Sequence, residues 1–493
     1  MLLSRLINEA GWSMKPPIEG EVLDVTIDSR SVQPGSVFVA IRGVQVDGHK
    51  FIKSAILSGA LAIISEYLPD DADHHRIILV EDSAEAAGKL AAVFFGNPST
   101  RMKVVGVTGT NGKTTIATLM HHLVRRMGIK AGLLSTVENS IVDTVVPSTH
   151  TTPDPIHLQQ LLRQMLDAGC EYVFMEVSSH ALSQKRVAGI DFAGAIFSNL
   201  THDHLDYHGT FSEYLKAKKS FFDGLKKDAF ALTNIDDKNG LVMLQNCKAH
   251  QYHYALKQSA NYKGKVIENT IEGLLMEING VEVHLRLSGE YNAYNVLAVY
   301  GAMDRLGFDK DEIRVQLSAL APPRGRLETI RDEINSVTYI IDYAHTPDAL
   351  KNVLSTLRKV LYPGKRLITV VGCGGDRDHG KRPEMAHITS MLSDESIFTS
   401  DNPRNENPDA IISDMMTGVH EDRRAHVLSI TDRKAAIEVA SRLAQSGDIV
   451  LIAGKGHETY QEFEDKKKID FSDRKVVEEI LSIQSRSKDP GDR

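Results

Sequence analysis

A glycine-rich turn between an apolar run and a helical pattern is the segment most suited to chemistry. Residues 104–107 are mainly β-branched and lead into TGTNGKTT at residues 108–115. The backbone N–H groups of such a turn cradle phosphates, while Lys113 reaches the β- and γ-phosphates and the Thr114 hydroxyl holds Mg²⁺. We therefore predict an ATP-binding loop, although its first glycine, Gly106, comes one residue earlier than in the common P-loop pattern.

Three later segments carry groups that bind metals or phosphates. Glu176 directly follows the apolar run 172–175, and a carboxylate at a strand end beside a phosphate loop is a good Mg²⁺ ligand. Residues 198–208 (SNLTHDHLDYH) suggest metal or phosphate chemistry or, alternatively, a solvated polar loop. Their histidines lack the spacing of a helical zinc motif, and imidazole suits transition metals better than Mg²⁺. The basic stretch 216–219 is either a solvated helix face or a charge clamp for phosphate.

Length, charge and cysteine content limit the class of protein. A chain of 493 residues predicts about three domains. A net charge of −8 argues against a nucleic-acid partner. No signal pattern and no apolar run of about 18 residues is present, so we expect neither export nor membrane insertion. The three cysteines are far apart, which argues against a disulfide framework or a cysteine zinc site and fits a reducing cytoplasm.

Alternating strand and helix patterns predict an α/β fold with largely parallel sheets. Breaks in these patterns give three predicted domains, at residues 1–98, 99–325 and 326–493. In the first two domains, strands are expected at 37–41, 62–64, 104–107, 172–175 and 195–197, with a helix at 84–95 capped by Asp82 or Ser83.

Four polar or glycine-rich clusters directly follow predicted strands of the last domain. These clusters are DYAH (342–345) after strand 339–341, GCGGDR (372–377) after strand 367–371, DNPR (401–404) after strand 397–399, and GKGHE (454–458) after strand 449–453. In open α/β sheets, ligands bind outside the carboxyl ends of the strands. We therefore predict that the four clusters form one site at one edge of the sheet.

Several segments, taken together and in order, resemble the Mur ligase family. The segments are TGTNGKTT (108–115), DHLDYHG (203–209) followed by Ala217-Lys218, GEYNAYN (289–295) and DYAH (342–345). The first is the family's own P-loop variant, which accounts for the early glycine. The resemblance implies a UDP-binding N-terminal α/β domain, a central P-loop ATPase domain and a C-terminal Rossmann-like, doubly wound domain that binds an amino acid.

The resemblance also implies an ATP-dependent amide-bond ligase that works through an acyl phosphate. ATP is expected between the second and third domains, bound by Gly109, Thr110, Asn111, Gly112, Lys113, Thr114, Thr115, Asn292, Arg326, Asp342 and His345. The implied catalytic residues are Lys113, Glu176, His204 and Lys218. Two Mg²⁺ ions are implied, with Thr114, Glu176, His204 and an N6-carboxylated Lys218 as ligands. Ligands on two domains imply closure about a hinge near residues 324–327.

Other segments resemble the family member that adds meso-diaminopimelate to UDP-MurNAc-L-Ala-D-Glu. For the UDP substrate the resemblance implies Ser29, Arg30, Thr151, Thr152, Ser178, Gln184 and Arg186, and for meso-diaminopimelate it implies Arg377, Asp401, Asn402, Arg404, Gly454 and Glu458. We expect these two substrates and ATP as the partners of a monomeric enzyme.

The DNPR cluster favours meso-diaminopimelate over L-lysine for a physical reason. Meso-diaminopimelate carries a distal amino-carboxylate that lysine lacks. Arg404 is suited to bind that carboxylate bidentately, and Asn402 to accept and donate beside it. Glu458 is a sensible partner for the distal ammonium. A lysine substrate would leave the Arg404 charge unpaired.

Three alternatives stay open at this point. A lysine-adding ligase differs only at the 401–404 cluster. A folylpolyglutamate synthase shares the ligase plan but lacks the UDP-binding first domain. A P-loop regulatory NTPase would hydrolyse ATP without a carboxylate acceptor. One departure concerns the first domain, where Val44 follows Gly43 although some relatives have histidine there, which makes the diphosphate contacts of that domain less certain.

Overall fold

The computed structural model describes residues 1–13, 18–43, 46–70, 73–146, 151–201, 203 and 205–487. These residues form three units, each built on its own sheet. The predicted domain boundaries fall between sheets, since residue 98 lies between the first and second sheets and residue 325 between the second and third. As limits of independent domains, those boundaries stay predictions.

The first unit is a four-stranded parallel sheet with three α-helices. Its elements are α1 (Leu3–Glu9), β1 (Asp24–Thr26), β2 (Ser36–Val39), α2 (Ile52–Leu57), β3 (Ala62–Ser65), β4 (Ile77–Leu79) and α3 (Ser83–Phe94). The strand order is β1-β2-β3-β4. Of the two predicted caps of α3, Asp82 is the N-cap, and its side chain accepts a hydrogen bond from Glu85 N–H.

The second unit is built on an eleven-stranded sheet. Its strands are β5 (Lys103–Thr108), β6 (Ala131–Leu134), β7 (Asn139–Ile141), β8 (Thr144–Val146), β9 (Tyr172–Glu176), β10 (Phe192–Phe197), β11 (Phe230–Asn234), β12 (His250–Ala255), β13 (Tyr262–Asn269), β14 (Leu274–Ile278) and β15 (Val281–Leu285). Its helices are α4 (Lys113–Arg126), α5 (Pro155–Asp167), α6 (Ser179–Ser183), α7 (Leu205–His208), α8 (Phe211–Asp223), α9 (Glu290–Arg305) and α10 (Lys310–Ala319).

The strand that leads into the P-loop lies inside this sheet. The order is β15-β14-β13-β12-β11-β10-β5-β9-β6-β7-β8. Neighbouring strands between β13 and β6 in this order pair in parallel. The pairs at the two ends, which involve β14 and β15 on one side and β7 and β8 on the other, are antiparallel. Both faces of β5 are buried, which explains its continuous apolar sequence. A Cβ at Gly106 would lie 2.5 Å from the Phe221 ring of α8. The early glycine is therefore required by packing against α8.

The third unit is a six-stranded sheet followed by a short hairpin. Its elements are β16 (Glu328–Asp332), β17 (Val337–Asp342), α11 (Pro347–Val360), β18 (Leu367–Val371), α12 (Lys381–Leu392), β19 (Glu395–Phe398), α13 (Pro408–Met416), β20 (Val427–Ser429), α14 (Arg433–Leu443), β21 (Ile449–Ala453), β22 (Tyr460–Glu462), β23 (Lys468–Asp470) and α15 (Asp473–Ser487). The main sheet has the order β16-β17-β21-β18-β19-β20, and β22 pairs with β23.

The four strands that precede the polar clusters are neighbours in this third sheet. Strands β17, β21, β18 and β19 pair in parallel, so their carboxyl ends lie at one edge. Residues from all four following clusters line one cavity there. The prediction of a single shared edge is confirmed. Among the helices in the described part of the chain, none has both the length and the apolar character needed to span a membrane.

Candidate active site

The P-loop is fastened to the turn that follows β10. Asn199 accepts hydrogen bonds from Thr110 N–H at 2.8 Å and from Asn111 N–H at 2.9 Å, and Ser198 Oγ donates to the Asn111 carbonyl. These two N–H groups are therefore used inside the protein. Helix α4 begins at Lys113, and its first N–H groups, which have no intrahelical partners, are suited to a phosphate at the helix start. The ATP contacts expected of Thr110 and Asn111 stay a prediction.

Two lysines meet on one carbonyl of the loop. Lys113 Nζ donates to Gly109 O at 2.9 Å and to Thr110 O at 2.8 Å. Lys218 Nζ, 1% exposed, donates to the same Gly109 O at 2.8 Å. Burial lowers the pKa of both ammonium groups, and the Lys113 charge lowers the pKa of Lys218 further. The structure thus brings these predicted residues together and favours an uncharged Lys218 amine.

Oxygen donors line the same cavity as the two lysines. Glu176 is 1% exposed at the end of β9, and its Oε1 accepts a hydrogen bond from Thr136 N–H at 2.7 Å. Thr114 and Asp203 line the cavity with it, and the Glu176 and Asp203 carboxylates oppose the lowering of the Lys113 pKa. Hydroxyl and carboxylate oxygens are the donors that Mg²⁺ prefers.

The donor set fits Mg²⁺ in chemistry, because that ion is usually held by one or two carboxylates together with phosphate oxygens and waters. Within the described ranges, no three His, Cys, Asp or Glu residues are grouped as a metal site. His204, a predicted ligand, lies outside the described residues. Lys218 faces this cavity, and carboxylation would turn its amine into a further oxygen donor. Thr114 and Glu176 therefore fit the ion, and a carboxylated Lys218 would add a further oxygen donor.

Contacts across the cleft join the P-loop to the third unit. Arg326 Nη2 donates to Thr114 Oγ1 at 3.1 Å, and its guanidinium stacks over the Tyr343 ring at 4.6 Å. Asn111 Nδ2 donates to Asp348 Oδ2 at 3.1 Å. Two parts of the predicted ATP site, more than two hundred residues apart in sequence, are therefore in direct contact.

The other predicted ATP residues lie on the walls of this cleft. Asp342 is buried, its two oxygens accept hydrogen bonds from Leu327 N–H and Ala344 N–H, and burial raises its pKa. Burial lowers the pKa of His345, whose Nδ1 lies 2.9 Å from Tyr343 O. Asn292 Nδ2 donates to Ser288 O at 2.8 Å. Both Asp342 oxygens are therefore already bonded to backbone N–H groups of the turns around the cleft.

Three cavities run into one another along the cleft. A cavity of about 760 Å³ follows the P-loop, the lysines and Glu176. It shares Arg326 and Asp342 with a cavity of about 580 Å³ that contains Asn292. On its other side it shares Arg377 and Glu458 with a cavity of about 630 Å³ at the edge of the third sheet. The phosphate loop and the predicted amino-acid pocket therefore open into each other.

The predicted amino-acid residues lie together in the third of these cavities. Arg377, Asp401, Asn402, Arg404, Gly454 and Glu458 all line it. A Cβ at Gly454, whose φ is 111°, would lie 2.6 Å from Asp401 Oδ2, so Asp401 packs directly against that glycine. Arg404 Nη1 donates to Gly375 O at 2.7 Å and Nε to Glu462 Oε2 at 3.2 Å. Three of its five N–H donors remain for a ligand.

The role of Asn402 as a substrate contact stays a prediction, and the structure shows how its amide is held. Its Oδ1 accepts hydrogen bonds from Lys455 Nζ at 3.0 Å and from Glu462 N–H at 2.9 Å. Its Nδ2 donates to Glu458 Oε2 at 3.0 Å. The acceptor predicted to face the substrate is thus used inside the protein, and Asn402 mainly holds the neighbouring side chains in place.

The residues predicted for the UDP substrate fall into two groups. Arg186 donates to Gln184 Oε1 and to Thr152 O, and Thr152 Oγ1 accepts from Ser178 N–H. Thr151 lies beside them and accepts from Thr136 Oγ1. The second group, Ser29 and Arg30, lies after β1 and does not line the cleft formed by the described residues. Arg30 there pairs with Asp28, and Val44 lies outside the described residues.

Several residues of the site were missed by the sequence analysis. Asp348, Lys455, Glu462 and His457 were not among the predicted site residues, although each contacts or lines the cleft or its supporting shell. Lys455 and His457 belong to the GKGHE cluster that was singled out, so the signal was present. Glu462 lies in β22, for which no strand pattern was identified.

Family models match the chain in three consecutive segments. The Mur ligase family catalytic domain matches residues 21–95, the Mur ligase middle domain residues 107–303, and the Mur ligase glutamate ligase domain residues 325–456. The chain belongs to the Mur ligase family. The P-loop and the lysines lie in the middle-domain match, and the amino-acid cavity lies largely in the glutamate-ligase match.

Relatives within the Mur ligase family cover almost the whole chain. The UDP-N-acetylmuramoyl-L-alanyl-D-glutamate–2,6-diaminopimelate ligase of Cytophaga hutchinsonii is 54% identical over 463 residues, which are 94% of this chain and 95% of the relative. A solved structure of a ligase with the same name has a TM-score of 0.71 and 33% identity, covering 98% of this chain and all of the other.

A more distant structural likeness concerns one of the alternatives. A folylpolyglutamate synthase of Mycobacterium tuberculosis, complexed with ADP and AMPPCP, has a TM-score of 0.58 at 17% identity. It covers 74% of this chain and 91% of its own chain. At this identity the likeness shows a shared fold alone.

Proposed function

We propose that this Mur ligase joins meso-2,6-diaminopimelate to UDP-MurNAc-L-Ala-D-Glu at the expense of ATP. The new amide forms on the D-Glu γ-carboxyl group, and the products are UDP-MurNAc-tripeptide, ADP and phosphate, as in peptidoglycan biosynthesis in the cytoplasm. The observation that carries the proposal is the continuity of the P-loop cavity with a pocket that presents Arg404 and Glu458. The names of relatives that share about half of their residues with this chain support it.

In the first step, the D-Glu carboxylate becomes an acyl phosphate. A carboxylate oxygen bonds to the γ-phosphorus of ATP while the bond from that phosphorus to the bridging oxygen breaks and ADP leaves. Lys113 and the N–H groups at the start of α4 neutralise the charge that spreads over the phosphate oxygens. To reach them, Lys113 Nζ exchanges its bonds to Gly109 O and Thr110 O for phosphate oxygens.

In the second step, the diaminopimelate amine attacks the acyl carbon. A C–N bond forms, the bond from the acyl carbon to the phosphate oxygen breaks, and the ammonium proton is lost to solvent or phosphate. The pocket of Arg404 and Glu458 holds the distal end of the amino acid, so that its reacting amine is held in place relative to the acyl group.

Thr114, Glu176 and a carboxylated Lys218 are the described residues that would hold Mg²⁺. The ion, when bound, neutralises phosphate charge during transfer. The lowered pKa of Lys218 favours its modification, because the uncharged amine is the form that adds to CO₂, with loss of one proton. The assignment of His204 as a further ligand rests on the resemblance to the Mur ligase family alone.

Closure of the third unit over the second is part of the proposal. Arg326, Asp342 and His345 belong to the third unit, whereas the P-loop belongs to the second. The direct contacts of Arg326 with Thr114 and of Asp348 with Asn111 support a closed arrangement in which ATP touches both units. The turn at residues 324–327 is the proposed hinge.

Phosphate release from MgATP tests the function. We expect release only when UDP-MurNAc-L-Ala-D-Glu and meso-diaminopimelate are both present, together with a tripeptide product in mass spectrometry. Release with L-lysine in place of meso-diaminopimelate would keep the ligase reaction and overturn the assigned amino acid. Release that needs neither acceptor would overturn the ligase and favour an NTPase.

A further inference from the structure

Lys455 is a buried charge directly behind the amino-acid pocket. It follows Gly454 at the end of β21, is 0% exposed and does not line the cavity. Its Nζ donates to Glu458 Oε2 at 2.8 Å and to Asn402 Oδ1 at 3.0 Å, and lies 3.9 Å from Asp401 Oδ1. A buried ammonium group therefore contacts three of the side chains that line the pocket.

The first consequence concerns the charge of the pocket. Asp401 and Glu458 are two carboxylates on the same wall, and the positive charge of Lys455 lies between them. The Lys455 ammonium lies within ion-pair distance of both carboxylates and so offsets the repulsion between them. With it, the three groups carry a single net negative charge, which matches one ammonium group of a ligand.

The second consequence concerns geometry. Lys455 and the Glu462 N–H together fix the orientation of the Asn402 amide, because both are donors and so select its oxygen. The amide nitrogen is thereby turned to Glu458 Oε2. That oxygen takes hydrogen bonds from both Asn402 and Lys455, so the carboxylate is held in one orientation. Its other oxygen, Oε1, is the one available to a ligand.

We propose that Lys455 is a positioning residue that selects an amino acid carrying a second ammonium group. It does so through Glu458, by holding that carboxylate in the orientation that faces the distal ammonium, without touching the substrate. This inference rests on the proposed function, because it concerns how the distal amine of the amino acid is recognised in that reaction.

The test compares meso-diaminopimelate with 2-aminopimelate, which has the same chain without the distal amine. For Lys455→Met we expect the KM for meso-diaminopimelate to rise at least roughly tenfold, as for the loss of a charge-assisted contact. The KM for 2-aminopimelate, or its inhibition constant against meso-diaminopimelate, should change by less than about threefold. Lys455→Gln, which keeps polarity without charge, should show the same split and guards against a folding defect in the Met variant.

A double-mutant cycle with Glu458→Gln tests whether Lys455 acts through that carboxylate. In the Glu458→Gln background, Lys455→Met should have little further effect on the KM for meso-diaminopimelate. Lys434→Met, which removes an exposed lysine paired with Glu479, is the matched control and should leave both KM values unchanged. The KM for ATP and the thermal unfolding midpoint report on the integrity of each variant.

Two results would overturn the inference. Equal losses for both amino acids would show that Lys455 only supports the fold, and additive effects in the cycle would separate it from Glu458. Failure of the proposed function looks different, since the unaltered enzyme would then release phosphate without any dependence on meso-diaminopimelate.

Discussion

Replacement of Arg404 by alanine tests the amino-acid pocket most directly. Arg404 has a φ of 50° and is held by Gly375 O and by Glu462, which accepts from both its Nε and its backbone N–H. Arg404 lines the cavity that also contains Glu458, and three of its five N–H donors are not used in these side-chain bonds. A distal carboxylate would take one or two of them in charge-assisted hydrogen bonds.

The expected loss follows from these contacts. One or two such bonds are worth about 2–4 kcal/mol, and each 1.4 kcal/mol is about a tenfold change in affinity. We therefore expect Arg404→Ala to raise the KM for meso-diaminopimelate by roughly 30- to 700-fold. Glu462, whose side chain is 21% exposed in the presence of Arg404, would add repulsion toward the substrate carboxylate.

Steady-state phosphate release with each substrate varied in turn is the assay. The KM values for ATP and for the UDP substrate should stay within about twofold, because Arg404 is bonded to Gly375 and Glu462, which are assigned to neither of them. Arg404→Ala combined with Glu462→Gln should recover part of the loss by removing the uncovered carboxylate. Arg424→Ala, at an exposed position, is the control for loss of a surface arginine.

Two outcomes would refute the assignment of Arg404. An equal rise in the KM values for meso-diaminopimelate and the UDP substrate would indicate a general disturbance of the cleft. An unchanged KM for meso-diaminopimelate would place its distal carboxylate elsewhere. Arg404→Lys should fall between the wild type and the alanine variant, since lysine keeps the charge but loses the planar fork.

Three further predictions concern other parts of the molecule. Because the pKa of Lys218 is lowered, its amine is uncharged above that pKa, where it can carry CO₂, and protonated below it. The intact enzyme should therefore lose the mass of one CO₂ on acidification. Lys218→Ala should lower turnover more than about 100-fold. Asp473→Ala leaves the buried Arg433 charge without its bidentate partner and should cost about 3–5 kcal/mol in urea unfolding, whereas replacing both by apolar residues should cost less. Gly454→Ala places a methyl group 2.6 Å from the Asp401 carboxylate and should raise the KM for meso-diaminopimelate. The control is Gly364→Ala, which also has a positive φ but meets open space, and it should leave that KM unchanged.

Local patterns predicted the elements and the edge where the site lies. The strand, turn and helix around Lys113 follow from a short apolar run, glycines and a helical period, and the cap of α3 follows from Asp82. The shared edge of the four clusters follows from parallel strand packing alone. These features depend on neighbours in sequence or on a general property of α/β sheets, so one sequence suffices to find them.

The partners of individual side-chain hydrogen bonds could not be predicted in the same way. Asn199 takes two N–H groups of the P-loop from a different strand end, and Glu462 holds Arg404 from a hairpin almost sixty residues later. Asn402 was predicted to face a substrate because its side chain is able to accept and donate. Which partners satisfy it depends on Lys455 and Glu462, and the contacts between loops that decide this are not encoded in any local pattern.

The contacts between the second and third units offer a route by which a nucleotide at the P-loop would affect the predicted amino-acid pocket. Arg326 and Asp348 touch the P-loop, and both belong to segments that flank β17. The pocket loops follow β21, β18 and β19 of the same paired sheet, so a displacement of β17 carries the pocket with it. The two bonds across the cleft are each worth about 1–3 kcal/mol, which is small enough for them to exchange with bonds to a triphosphate. On the proposed function, we therefore expect binding at the P-loop to be coupled, through this sheet, to where the incoming amine is held.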